Sequence, residues 1–382
     1  MDGLSPWQGM RECMPVTQKW AYFDHAAVAP LPTVTRDATV QWAHEASLEG
    51  GMVWSRWRRR VEDVRSLAAE MIAAASSEIA IVANTTTGIN LVAESLQWNP
   101  GDNIVTFANE FPSNQYPWMS LAERGVETRR VEFAGAEPLR QLDDACDSQT
   151  RLIAVSWVGY GTGWRLDVDE LVEIARRHGA LTFLDAIQGL GVFPIDVSQT
   201  EIDFLAADGH KWMLGPEGAG LLYIRRSQLD RLRPTGIGWN SVRQGHDFSN
   251  IAIDLADGAT RYEGGSYNMA GVHGLGASLE FLRSLGVGPR ESPVAEQILR
   301  FIDQAAETLE SIGASVNLHP QQSRSGILSF VLPGRDPNQI RKSCLGRNVA
   351  ISCRDGRLRI SPHAYNNGDD LQRLVEVIVA AE

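Results

Sequence analysis

The sequence predicts an α/β protein with a mostly parallel central sheet and helices on both faces, followed by a smaller C-terminal α+β unit. Three observations carry this. Short apolar runs alternate with helical patterns between residues 78 and 224, the order that produces parallel sheets covered on both sides. Each run is short, carries at most one charge and is bounded by polar or glycine clusters, as buried strands are. After about residue 285 the texture changes to one long amphipathic helix, then hairpin-like pieces and a final helix.

Taken in order, Glu78–Ala83 (EIAIVA) reads as a strand ending in the polar cluster Asn84-Thr85-Thr86-Thr87-Gly88, and a helical pattern follows over Ile89–Leu96. Asn103–Phe107, Arg151–Val155 and Ala180–Leu184 read as further buried strands, with Asp169–Arg177 a helix stopped by His178-Gly179. Ile202–Ala206 and Gly220–Ile224 add two more strands. In the C-terminal part, Pro293–Ile312 reads as a helix and Gly326–Leu332, Val349–Cys353 and Leu358–Ser361 as hairpin pieces. The expected division is a large α/β domain over 20–285 and a small α+β domain from 1–19 and 286–382. No linker rich in Pro or Ser and no internal repeat interrupts it.

Composition narrows the function classes. The 382 residues include 35 Lys+Arg against 47 Asp+Glu, a formal charge of −12, and 43% are apolar. That apolar share excludes a disordered or collagen-like chain. The acidic balance argues against nucleic acid or an anionic membrane as partner, since both need clustered cations. Cys13, Cys146, Cys344 and Cys353 are scattered with no CxxC pair, which suits a reducing compartment. Residues 1–20 lack the apolar core of a secretory signal, and no run of about 18 apolar residues occurs, so a cytoplasmic protein is expected. The histidines show no metal-ligand spacing, so no metal site is expected. Trp54–Arg65 (WSRWRRRVEDVR) is basic and aromatic, but in an acidic chain it reads as a helix near a cleft or a dimer surface. Gly159–Gly163 (GYGTG) lacks the spacing of a dinucleotide fingerprint.

In a parallel sheet, ligands gather beyond the carboxyl ends of the strands, so polar residues just after an apolar run carry the chemistry. Thr85-Thr86-Thr87-Gly88 opens a helix there, where backbone N–H groups and hydroxyls cradle a phosphate; the same threonines also suit plain helix caps. Asp185 ends a strand, and Gln188 follows three residues later. Lys211 also follows a strand, flanked by His210 and a Gly/Pro-rich loop, although lysines belong on solvated faces. A lysine desolvated near other cations has a lowered pKa and forms Schiff bases. Pyridoxal phosphate needs such a lysine, an acid to keep its pyridine nitrogen protonated, and a helix N-terminus for its phosphate. All three parts are present in order.

These residues resemble the class V aminotransferase-fold enzymes that depend on pyridoxal phosphate, in particular the cysteine desulfurase and selenocysteine lyase branch. The resemblance runs from about Tyr22 to the C-terminus, through YFDHAAVAPLP (Tyr22–Pro32), TTTGINLVAESL, ANEFPSNQYPW, LDAIQ, DGHKW and EGGSYN in family order. It implies a fold-type I pyridoxal-phosphate transferase that acts on an amino acid by cleaving a C–S or C–Se bond at Cβ. Lys211 would be the Schiff-base lysine and the acid/base at the substrate Cα. Asp185 would pair with the pyridine nitrogen and Gln188 with the ring hydroxyl, while Thr86, Thr87 and His210 would hold the phosphate. Ser266 would reach the phosphate of a neighbouring subunit, which implies a homodimer. Arg359 in LRISPHAYN matches the arginine that grips the substrate carboxylate. His25, Ala27, Trp157 and Tyr160 would shape the substrate side.

The chain also departs from the family pattern. Phe111 stands where an aromatic ring, often His, covers the cofactor; it stacks but cannot exchange a proton. Asp208 stands where desulfurases have a small hydroxyl residue, and its repulsion of a phosphate implies that it turns away and bonds elsewhere. Desulfurases take sulfur onto a cysteine in a mobile loop, but Val349–Arg359 (VAISCRDGRLR) is short for one. Cys353 is the candidate there, with Arg354 and Arg357 able to favour its thiolate, while Cys344 lies in an expected helix. LRISPHAYN looks closer to the epimerase, C–S lyase and kynureninase-like members, which need no enzyme cysteine, and a class V aminotransferase is a further alternative. A non-catalytic scaffold of the same fold is the remaining alternative, and the Lys211, Asp185, Gln188 and Arg359 set argues against it.

Overall fold

The computed structural model describes residues 5–133 and 137–380. Residues 1–4 and 381–382, expected in the small unit, and residues 134–136 lie outside the described set. A short strand, β1 (Ala21–Tyr22), precedes the sheet strands β2 (Ile79–Val82), β3 (Asn103–Phe107), β4 (Glu127–Val131), β5 (Thr150–Ser156), β6 (Leu181–Asp185), β7 (Phe204–Asp208) and β8 (Gly220–Ile224). The last seven form one sheet in the order β2-β8-β7-β6-β5-β3-β4. Strand β8 is antiparallel to both β2 and β7, and the other pairings are parallel. The carboxyl ends of β2, β5, β6 and β7 therefore share one edge, where Lys211, Asp185 and the helix Thr85–Ser95 begin or end.

Burial explains which strands form. Every residue of β2, β3, β6, β7 and β8 is buried, so each apolar run meets helices on both faces. Strand β4 (ETRRV) is the exception: charged and largely half-exposed at the sheet edge. Charge on an edge strand blocks stray pairing, and it also removes the apolar signal by which a strand is read. The helix Val168–His178 starts on the Asp167 side chain, which accepts the N–H groups of Asp169 and Glu170, and closes at Gly179. The helix Thr85–Ser95 is capped by Asn84, whose Oδ1 accepts the Thr87 N–H at 2.8 Å; the cap is thus the asparagine and not one of the threonines.

The smaller unit contains the helix Pro293–Ser311 and strands β9 (Ser315–Asn317), β10 (Leu328–Val331), β11 (Val349–Ala350), β12 (Ser352–Arg354) and β13 (Arg357–Ile360). Four of them form an antiparallel sheet, β12-β13-β10-β9. The expected hairpin piece Val349–Cys353 splits in two, because β11 pairs in parallel with β1 instead. Asp24 continues that contact as a bridge to Ser361, and Arg11 Nη1 lies 2.7 Å from Asp370 Oδ2. The N-terminal segment thus pairs with the C-terminal unit as far as Asp24. One buried apolar cluster runs from under the large sheet into this unit, joining Val64, Leu205, Phe301 and Phe330.

One buried ion pair ties the helix Trp54–Ile72 to the loop that carries Ser266. Arg65 and Glu263 are each 2% exposed and hydrogen-bonded to one another through both guanidinium Nη atoms. Glu263 also accepts from the backbone N–H of Ile81 and from the Tyr267 hydroxyl. The WSRWRRRVEDVR stretch is thereby accounted for as a structural helix. Glu263→Ala takes from buried Arg65 its one buried carboxylate and leaves it the half-exposed Glu62 and the Ile79 carbonyl, a loss of about 3 kcal/mol. Urea unfolding followed by circular dichroism should show that loss, and a change below 1 kcal/mol would contradict it.

Candidate active site

A cavity of about 340 Å³ opens at the carboxyl edge of the sheet. Lys211, Asp185, Gln188, Thr86, His210, Asp208, Phe111, Tyr160, Ala27 and Arg359 all line it. Residues from both units are therefore brought together around one space.

Lys211 sits three residues beyond β7 and is 8% exposed. Burial lowers its ammonium pKa to about 8; Arg359 and Arg354 add to the fall, and Asp185 and Asp208 resist it. Roughly a tenth of the amine is then neutral at pH 7, against a trace for a solvated lysine. Asp185 closes β6 and is pushed up to about 6 by burial, opposed by the Ile187 N–H on its Oδ1 and by Lys211. A carboxylate held so dry favours any cation that enters beside it. The Phe111 ring lies over the lysine, with Lys211 Nζ 5.7 Å from its centroid and Tyr160 against it edge-on.

Gln188 is buried and doubly held: its Nε2 donates to the Ala26 carbonyl at 2.9 Å and its Oε1 accepts from Trp212 Nε1 at 2.8 Å. At the far wall Arg359, 1% exposed, donates Nε to Ser352 Oγ, Nη1 to the Tyr160 carbonyl and Nη2 to Asp24 Oδ1. One N–H on each terminal nitrogen stays uncommitted, and two such donors side by side match a carboxylate. At the opposite end the helix Thr85–Ser95 presents its first N–H groups, which have no carbonyl ahead of them. Thr86 Oγ1 there donates to Ser113 Oγ at 2.8 Å.

Five expected site residues lie elsewhere. Thr87 does not line the cavity; its hydroxyl and N–H both go to Asn84 Oδ1. His25 is fully buried behind the wall, bonded to the Ser361 carbonyl and to the Tyr365 hydroxyl, and burial lowers its pKa to about 4. Trp157 packs under Gly189, with its backbone N–H on the Asp185 carbonyl. Ser266 is exposed and outside this chain's own cavity. Cys353 also misses it: Ser352 and Arg354 share the face of β12 that meets Arg359, so Cys353 between them points the other way, paired with buried Leu358. Only the two-residue turn Asp355-Gly356 joins β12 to β13, both with positive φ, and so short a turn is no mobile loop.

Asp208 does not turn away. Its carboxylate lines the cavity, with Oδ2 2.8 Å from His210 Nδ1 without hydrogen-bond alignment, and Oδ1 is buried with no partner. Its backbone N–H is pinned by Thr85 Oγ1, and the His210 ring is its neighbour. Thr85, named with the phosphate cradle, lines the cavity too, and so do Arg354, Ser113 and Asn84, which were not read as its walls. Arg354 was within reach of period-two counting, since a strand ending at an Asp-Gly turn puts positions 352, 354 and 359 on one face. Among the described residues no cluster of three His, Cys, Asp or Glu side chains suits a metal ion.

The family model for aminotransferase class V matches residues 21–374. A probable cysteine desulfurase of Methanothermobacter thermautotrophicus is 30% identical, with 97% of each chain covered. A cysteine desulfurase of Shigella flexneri is 32% identical, covering 93% of this chain and 91% of that one. Among solved structures, a cystine C–S lyase in complex with its product cysteine persulfide superposes with a TM-score of 0.88 at 22% identity, over 96% of this chain and 99% of that one. The chain belongs to the class V aminotransferase family. Pyridoxal phosphate fits the groups present: an amine of lowered pKa, a dry carboxylate short of a cation, and a helix N-terminus face one cavity.

The rate at which apoprotein takes up pyridoxal phosphate, followed by visible absorbance, should climb about tenfold per pH unit below 8 and level off above it. A rate flat between pH 6 and 9 would show that the Lys211 amine is not the group that titrates.

Proposed function

We propose that this protein is a pyridoxal-phosphate enzyme that breaks the Cβ–S bond of a cysteine-type amino acid, the activity for which its desulfurase relatives are named. The observation that carries the reading is the facing pair Lys211 and Asp185 in a cavity whose far wall is Arg359. Bound pyridoxal phosphate supplies the electron sink for charge developing at the substrate Cα. Lys211, being partly neutral near pH 7, takes and returns the Cα proton. Asp185 holds the proton on the ring nitrogen, a cation that its burial makes welcome. The free N–H of Gln188 would hold the ring hydroxyl, Phe111 would cover the ring and keep water off it, and Thr86 with His210 would hold the phosphate. Arg359 takes the substrate carboxylate on its two uncommitted N–H groups, and Asp24 keeps the guanidinium turned that way.

Ser266 reaches the phosphate of a second copy, so the working form is a homodimer, acting in the cytoplasm. Among the described residues no helix is long and apolar enough to cross a membrane. The orientation of Cys353 favours the C–S lyase form of the reaction, in which sulfur leaves without passing to an enzyme cysteine. A substrate panel of cysteine, cystine and selenocysteine, read by sulfide or selenide release, tests the function; release that persists in Lys211→Ala would refute it.

With cysteine, Cys353→Ala should leave sulfide release within twofold of the parent, and a drop of tenfold or more would restore the persulfide route. Arg359→Lys keeps a charge but loses the fork, so KM should rise about tenfold or more while the bound cofactor's spectrum stays intact. A lost spectrum would remove Arg359 from the substrate side.

A further inference from the structure

We propose that Trp212, which does not line the cavity, is a positioning residue that fixes the polarity of the hydrogen bond Gln188 offers there. The inference rests on the reading of Gln188 as the partner of the cofactor's ring hydroxyl. A carboxamide carries one acceptor oxygen and two N–H donors, and turning it by half exchanges them. Here both neighbours dictate the choice. The Ala26 carbonyl can only accept, and it takes Nε2 at 2.9 Å. The Trp212 indole can only donate, and it takes Oε1 at 2.8 Å. A turned amide would set donor against donor and acceptor against acceptor in the interior, where each unmade bond is costly. The remaining Nε2–H is the polar group Gln188 has left for the cavity, and it meets an acceptor.

Trp212 is itself immobile. It is 1% exposed, and the small unit closes over its outer edge, where a Cβ on Gly326 would stand 2.4 Å from Cη2 and 3.0 Å from Ile298 Cγ2. The rings of His25 and His363 lie tilted against it at 6.2 and 6.0 Å. The residue after the Schiff-base lysine thus carries the packing of the C-terminal unit to one amide beside the cofactor ring. With the indole N–H gone, the Ala26 carbonyl alone opposes the turn and Oε1 has lost its donor, so the turned amide, whose oxygen faces the ring hydroxyl and opposes its oxyanion, gains population.

The test replaces Trp212 by benzothienylalanine, which keeps the bicyclic shape and lacks the N–H, beside Trp212→Phe, Gln188→Ala and the double variant. The holoenzymes are titrated from pH 5 to 10 by the visible band of bound pyridoxal phosphate. A donor to the oxyanion lowers the pH at which it forms, so the benzothienyl variant and Gln188→Ala should each raise the midpoint by about one unit. Thermal unfolding of the benzothienyl apoprotein should stay at the parent temperature, and the double variant should show no further shift. An unmoved midpoint in the benzothienyl variant, with Gln188→Ala shifted, overturns the role of Trp212. An unmoved midpoint in Gln188→Ala overturns the assignment of Gln188 itself, and the proposal with it.

Discussion

The site depends on two ionisable groups held dry within reach of each other. Asp185 and Lys211 come from the carboxyl ends of neighbouring strands, β6 and β7, and burial pushes the acid up and the amine down. Desolvation opposes the charged form of both, so neither is held by the other as a settled salt bridge. The fold keeps them apart by giving each a backbone anchor: the Ile187 N–H for the acid, and the turn after Asp208 for the lysine. What enters between them is rewarded for supplying a cation to the one and an electrophile to the other.

Around that pair, each polar side chain is fixed by atoms that leave it one use. Arg359 spends three of its N–H groups on Ser352, Tyr160 and Asp24 and keeps two, one on each terminal nitrogen. Gln188 is pinned at both ends of its amide. Even Asp208, an acid where an anion is expected, is held by its backbone and faced by His210. Such a site reorganises little when it is filled, the condition under which oriented dipoles are most effective.

Much of this was legible in the sequence. Strands β3 and β8 begin and end where their apolar runs do, because both faces of the sheet are covered. Strand β4 was silent because its charges serve the sheet edge. The helix Met269–Ser284 was equally silent: glycines weaken a helical pattern, and Gly276 is there because a Cβ would stand 2.6 Å from Val64 and Arg60 of the helix beside it. In the site, the residue types at strand ends pointed to Lys211 and Asp185, the family resemblance added the roles of Gln188 and Arg359, and all four line one cavity. Neighbourhood in sequence misled for His25, Trp157 and Cys353. Side-chain direction reverses from one extended residue to the next, so Asp24 reaches Arg359 while His25 beside it points into the core.

The pairing of β1 with β11 has a consequence for the life of the chain before it is finished. During synthesis, residues 21–24 have no partner until residues 349–361 exist. The large sheet is complete in composition by Ile224, so the lysine end of the cavity can close long before the arginine end. From the synthesis of Ile224 until residues 349–361 emerge, the ribosome therefore carries a folded half-site with a loose leading strand, and an unpaired strand edge is what neighbouring nascent chains and chaperones meet first.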